Sequence, residues 1–323
     1  MKYHFVTKLN FMSLNTTLTR GKQIGGATRI SNGSENFKKF FDNRYFKDYA
    51  GSYHYYEFEG SVYLYEIGNF DELKAKFDKK YKLIDYAFYL LRNAQYFVDC
   101  LWLVKDNSIY VRDAFLDVYP EGSPEQGDIQ FSSVSTINSN TSGHIVETTF
   151  SIEELEKAIS YFKPAEGFEG VEEGGKHPFK NPLTKEMGRL GRATYFINAA
   201  RSVSQLPLKI LNYCTVLECL FTSDSSEVTH KVAERLAYLL GRNAEERKQY
   251  YQLARDAYKI RSKAVHGQPI KTNLEEMQRT TKKLDDALRT IFINYYENPE
   301  KYEVFKIKKN EDFEDWFNNL IFA

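Results

Sequence analysis

Apolar and polar positions follow two different rhythms along this chain. In the first 163 residues short aromatic and β-branched runs alternate with helical stretches; beyond residue 183 the helical period runs almost without interruption. Tyr53–Phe58 and Ser61–Tyr65 are bounded by Gly51, Gly60 and Gly68 and read as strands. Asn69–Phe77 reads as a short helix, with Asn69 as its cap and Asp71 in the first turn. From Leu83 to Leu103, Leu90, Ala94, Phe97, Val98 and Leu101 recur at helical spacing. Asp106-Asn107-Ser108 breaks that run, and Ile109–Val111 reads as a strand. Residues 120–143, rich in Pro, Gly, Ser and Asn, read as loop. His144–Phe150 reads as a strand, and Ser151 with Glu154 forms the signature of a capped helix start.

Five helices are predicted in the second half. Thr184–Ser202 places Met187, Leu190, Ala193 and Ile197 on one face. Leu206–Phe221 tolerates Pro207 because proline lacks only an N–H that the first turn leaves unused. Glu227–Leu240, with Ser225-Ser226 as its expected cap, stops at Gly241. Ala244–Lys263 stops before Gly267 and Pro269, and Asn273–Tyr296 carries charge along one face. Residues 301–323 form an aromatic, acidic tail whose Trp316 and Phe317 are expected to dock on the body.

Between the two halves, residues 164–182 hold three Pro and four Gly without periodicity, which is linker composition. The expected organisation is α+β: a mixed α/β domain over residues 1–163, a linker over 164–182, a helical domain over 183–300 and a tail over 301–323. Length supports two domains, each able to bury a core without staples.

Lys plus Arg equals Asp plus Glu at 44 each, so no global charge draws the chain to nucleic acid or to a membrane surface. An enzyme with a local basic cleft remains compatible with that balance. The start shows no secretory pattern, no apolar run is long enough to span a bilayer, and Cys100, Cys214 and Cys219 sit singly in apolar contexts. Reduced core thiols in a cytoplasmic protein are the expectation.

The stretch that carries chemistry is Tyr258-Lys259-Ile260-Arg261-Ser262-Lys263-Ala264-Val265-His266-Gly267. A permanent cation can clamp a phosphate, and an imidazole can move a proton near neutral pH; together they equip a site for RNA cleavage without a metal. Arg261 and His266 would be catalytic, with Tyr258 and Ser262 adding hydrogen bonds. Spacing alone is weak, since an Arg-x4-His match arises by chance about once in three or four such chains. On an ideal helix the two side chains would stand about 140° apart. They can cooperate only if the helix gives way between them or a second subunit completes the site. Glu218, on an otherwise apolar face, needs a partner if buried, and Arg235 or Arg261 is the candidate.

Three segments in order give a more specific signal. Pro207–Phe221, ending Val216-Leu217-Glu218-Cys219-Leu220-Phe221, is similar to the "ALE-x-LF" helix of Apea-like HEPN domains. Glu227–Leu240 is similar to that family's "thk-x-AeR-x-A-x-LL" segment, and Tyr258-x-x-Arg261-Ser262-x-x-x-His266-Gly267 resembles its "Y-x-x-RS-x-x-vHG" signature. The resemblance spans roughly residues 184–297 and leaves the front half uncovered. It implies an all-α HEPN bundle that forms a homodimer, with two Arg-x4-His motifs across a shared cleft. It also implies metal-independent endoribonuclease activity on RNA, in phage defence or a toxin system, with a phage or antitoxin partner. By position Arg261 and His266 carry over as catalytic, and Glu218, Arg235, Tyr258 and Ser262 as supporting residues. No metal or other cofactor is implied. The alternative is a non-catalytic HEPN module that binds a nucleotide, RNA or protein.

Other sites carry less. Gly170–His177 approaches a phosphate-binding loop, but His177 replaces the required Ser or Thr and two glutamates would repel phosphate. Cys214 and Cys219 diverge on their helix and make a poor metal pair. His230 reads as a surface or capping residue. The aromatic runs at Tyr53–Tyr65 could stack RNA bases, and serve equally well as core.

Overall fold

A computed structural model describes residues 1–77, 81–165, 183–184 and 187–322. The chain falls into two compact units, Met1–Ile137 with Val146–Lys180, and Asn138–Ile145 with Asn181–Ala323. Helices and an antiparallel sheet are both present, so the protein is α+β. The segment read as linker lies largely outside the described residues, as does the Gly170–His177 run.

The first unit is built on six antiparallel strands: β1 (Lys2–Lys8), β3 (Lys22–Gly25), β4 (Thr28–Ser31), β5 (Tyr63–Asn69), β6 (Asp113–Tyr119) and β7 (Asp128–Ser133). They lie in the order β3-β4-β5-β1-β6-β7. Alternation along β1 sends His4 and Val6 to one face and Tyr3 and Phe5 to the other. On the Val6 face, α1 (Ser34–Phe41) and α2 (Arg44–Glu59) close an aromatic core of Phe37, Phe41, Phe46, Tyr55, Phe58 and Phe115. On the opposite face Tyr3 meets Phe70 of α3 (Phe70–Ala75), and Phe70 meets Tyr86 of α4 (Leu83–Val104). A short parallel pair, β2 (Met12–Leu14) with β8 (Thr148–Phe150), and α5 (Ile152–Tyr161) complete the unit.

Several expectations change here. Tyr53–Phe58 is not a strand but the second half of α2. Asn43 caps that helix by accepting the Phe46 N–H at 2.7 Å, and Tyr55 and Phe58, three apart, share its buried face. Gly51, at φ +79°, kinks α2 where a side chain would be strained. The 120–143 stretch contains β7, whose polar sequence is held as a strand by its ladder to β6. Ile109–Val111 makes only an isolated bridge, Tyr110 to Asn10, and the strand begins at Asp113. Of His144–Phe150 only the last three residues are strand.

The second unit is helical: α6 (Gly188–Arg201), α7 (Leu206–Phe221), α8 (Val228–Leu240), α9 (Ala244–Val265), α10 (Leu274–Glu297) and α11 (Asn310–Phe322). The central helix is α7, which packs on α6, α8, α9 and α10. That central position explains its nearly all-round apolar sequence. The expected serine cap of α8 is absent: Glu227 occupies the cap position in a left-handed conformation, and Ser226 instead bonds Asp224. The Asn138–Ile145 loop is tied to this unit by Lys209, which is fully buried and donates to the carbonyls of Ser139 and Ala200 at 3.2 and 2.7 Å. Among the described residues no helix is long and apolar enough to cross a membrane.

Candidate functional site

The end of α9 and the last turn of α7 build the candidate site. Tyr258 and Arg261, three apart, project from one face of α9 toward Glu218. The Tyr258 hydroxyl donates to Glu218 Oε1 at 3.0 Å, and Arg261 Nη2 lies 3.1 Å from the same oxygen. The Arg261 guanidinium stands 5.7 Å from the Tyr258 ring centroid. Its Nε is buried without a hydrogen-bond partner among the described residues. The side chains of Arg261 and Glu218 remain 33% and 23% exposed, so the ion pair borders solvent rather than lying sealed in the core. Burial, and then the Glu218 charge, push the Tyr258 hydroxyl well above its ordinary range, so it stays a neutral donor. The same two causes push the Cys214 thiol up, one turn before Glu218, and make it an inert core group.

His266 lies elsewhere on the helix end. The helix does not give way after Arg261; it continues to Val265, with His266 at the C-cap. Gly267 then takes φ +61°. Its N–H donates to Ala264 O at 3.3 Å and that of Gln268 to Lys263 O at 2.9 Å, the paired bonds of a Schellman stop. Glycine enters that conformation without strain, which is why the helix stops with His266 at its cap. His266 is exposed, and its imidazole has no hydrogen-bond or ion-pair partner among the described residues. Ser262, four residues earlier and also exposed, shares its face. One chain thus presents Tyr258, Arg261 and Glu218 as one set and Ser262 and His266 as another.

Arg235 does not join either set. It is 4% exposed on α8 and donates to the Phe221 carbonyl at 2.6 Å and to Glu314 Oε1 at 3.1 Å. A second bond runs from its Nη2 to Glu314 Oε2, and its guanidinium lies 4.8 Å from the Phe317 ring centroid. Burial raises Glu314, but the bonds from Arg235 and Ser223 outweigh it and hold the carboxyl below its ordinary range. Of the two candidate partners of Glu218, then, Arg261 makes the contact; Arg235 fastens α11 to the bundle. Glu314, seventy-nine residues away, had no local sequence signal that could have announced it.

His230 is a surface residue, 3.2 Å from the Tyr251 hydroxyl and 3.9 Å from Glu234. Among the described residues no group of three or more His, Cys, Asp or Glu is placed to hold a metal ion. No protein-family model, curated protein or solved structure matches the chain.

Proposed function

We propose that this protein is a metal-independent endoribonuclease of HEPN type, acting in the cytoplasm as a homodimer in phage defence or a toxin system. The observation that carries the reading is the end of α9: a solvent-bordering Arg261 held against Glu218, followed just over one turn later by an exposed His266 whose imidazole is unengaged among the described residues. In the reaction, the ribose 2′-hydroxyl loses its proton and attacks the adjacent phosphorus. The bond to the 5′ oxygen breaks, and that oxygen takes a proton. His266 serves in proton transfer, and Arg261 stabilises the charge that builds on the non-bridging oxygens. Glu218 and Tyr258 orient the guanidinium, and Ser262 lies on the His266 face.

The test is incubation of RNA with purified protein in EDTA, beside Arg261→Ala and His266→Ala. Wild type is expected to leave 5′-hydroxyl and 2′,3′-cyclic phosphate ends, and each variant to lose at least about a hundredfold in rate. Equal cleavage by the variants, or none by wild type, sinks the reading. A specific observation favours the alternative, a HEPN module that binds without cutting: Arg261 is already engaged by a carboxylate, and His266 lies on a different face of the helix. RNA binding without cleavage is the result that would select it.

A further inference from the structure

On the α6 side of the helical unit an open cavity of about 870 Å³ collects charge of one sign. Among the described residues Arg189, Arg192, Lys306, Lys308 and Lys309 line it, against a single acid, Glu311. The whole chain is balanced at 44 cations and 44 acids, so five to one is a local segregation. Arg192, Lys306, Lys308 and Lys309 have no carboxylate within ion-pair distance among the described residues. Arg189 is the buried member: it donates to the carbonyls of Cys219 and Thr222 and lies 3.6 Å from the Phe313 ring centroid. These bonds fix its position in the wall.

Like charges lining one cavity repel one another, and an anion between them would relieve the repulsion. Burial, with the Arg192 and Arg235 charges adding to it, lowers Arg189 to about 10. Two helix starts, those of α6 and α11, also border the cavity, and the positive end of a helix adds to a preference for an anion. Met187, Leu190 and Ile307 supply apolar wall beside the cations. The volume falls within the range of about 300–1,000 Å³ that suits a small molecule rather than an extended strand.

We infer that this cavity binds a small phosphorylated molecule, its phosphate held by Arg192, Lys308 and Lys309 and its apolar part against Met187 and Ile307. The site shares no residue with the Arg261–His266 motif and stands whether or not the chain cleaves RNA.

Calorimetric titration of the full chain tests it, with adenosine 5′-monophosphate, adenosine and orthophosphate as probes. The monophosphate is expected to bind, and adenosine to give no heat. The triple variant Arg192→Ala/Lys308→Ala/Lys309→Ala is expected to weaken binding at least about tenfold, as loss of charge-assisted bonds requires. Lys308 and Lys309 are exposed, so the double variant at those positions offers a milder test, with a thermal melt confirming the fold. Arg261→Ala and His266→Ala should bind like wild type, which separates this site from the nuclease reading. Orthophosphate binding as tightly as the monophosphate would support the phosphate subsite while assigning it to the free anion. Monophosphate binding unchanged in the triple variant, adenosine binding as tightly as its monophosphate, or no heat from either phosphate would overturn the proposal. It would also be overturned by single-stranded RNA alone losing affinity in the triple variant, which would give the cations to an RNA backbone.

Discussion

At the residue scale, His4 and Asp117 face each other across β1 and β6 and respond to pH in opposite senses. His4 is wedged among aromatic rings, with Nδ1 3.1 Å from the Phe40 carbonyl and Nε2 2.8 Å from the Tyr119 hydroxyl. Burial lowers it to about 4, against a partial lift from Phe40. Asp117 is 2% exposed, and its Oδ1 has no hydrogen-bond partner among the described residues. Burial, and then the Asp128 charge, raise it from 3.8 to about 7. The signs follow from which state binds the proton more readily. His4 binds a proton more readily unfolded, so its contribution is present above 6.5 and lost as pH falls toward 4. Asp117 binds one more readily folded, so its contribution is present below 3.8 and lost as pH rises through 7. Asp117→Asn should therefore stabilise the first unit by about 1–3 kcal/mol near pH 8 and change little near pH 4. Urea melts at both pH values check this. Equal effects at the two would show that the carboxyl ionises as it does in water.

At the scale of elements, Arg235 separates a fastening role from a site role. If it holds α11 through Glu314, Arg235→Ala leaves a half-buried carboxylate without its cation and should cost about 3–5 kcal/mol. The thermal midpoint should drop and the 310–322 helix become open to proteolysis, whereas Arg261→Ala should leave the 310–322 helix protected. A melt in which Arg235→Ala matches wild type would return it to the site. The same contrast explains what the chain's pattern made legible. The bounds of α7 were readable to the residue because its apolar period, Pro207 and Phe221 agree. The Ser151 and Asn69 caps were readable because capping acts over two or three residues. That Glu218 needs a partner was legible because a carboxylate on an apolar face requires one. The choice between Arg235 and Arg261 was not, since it rests on how the helices pack. Tyr53–Phe58 was not legible as a helix: aromatics favour strands locally, and only Asn43 and the face shared by Tyr55 and Phe58 reverse that. The polar strand β7 was hidden because its ladder to β6, not its composition, makes it a strand.

At the scale of the whole molecule, the continuous end of α9 sets a condition on any catalysis. Arg261 faces Glu218 while His266 lies a turn further on and round the helix, about 140° away by ideal geometry. One chain therefore does not aim both groups at one phosphate. Under the nuclease reading, a second copy must supply the missing member, so that Arg261 of one chain works with His266 of the other. A two-fold dimer meets this need reciprocally, because whatever one chain offers its partner it also receives. Arg261→Ala and His266→Ala chains, each inactive alone, should then complement when mixed and allowed to exchange subunits. Half the dimers would be mixed, each with one intact site of two, so recovery should approach about a quarter of wild-type activity. If both groups acted from the same chain, no mixture would exceed its inactive parents. Activity of wild type at dilutions where light scattering finds only single chains would likewise rule out the shared site and require α9 to unwind between Arg261 and His266.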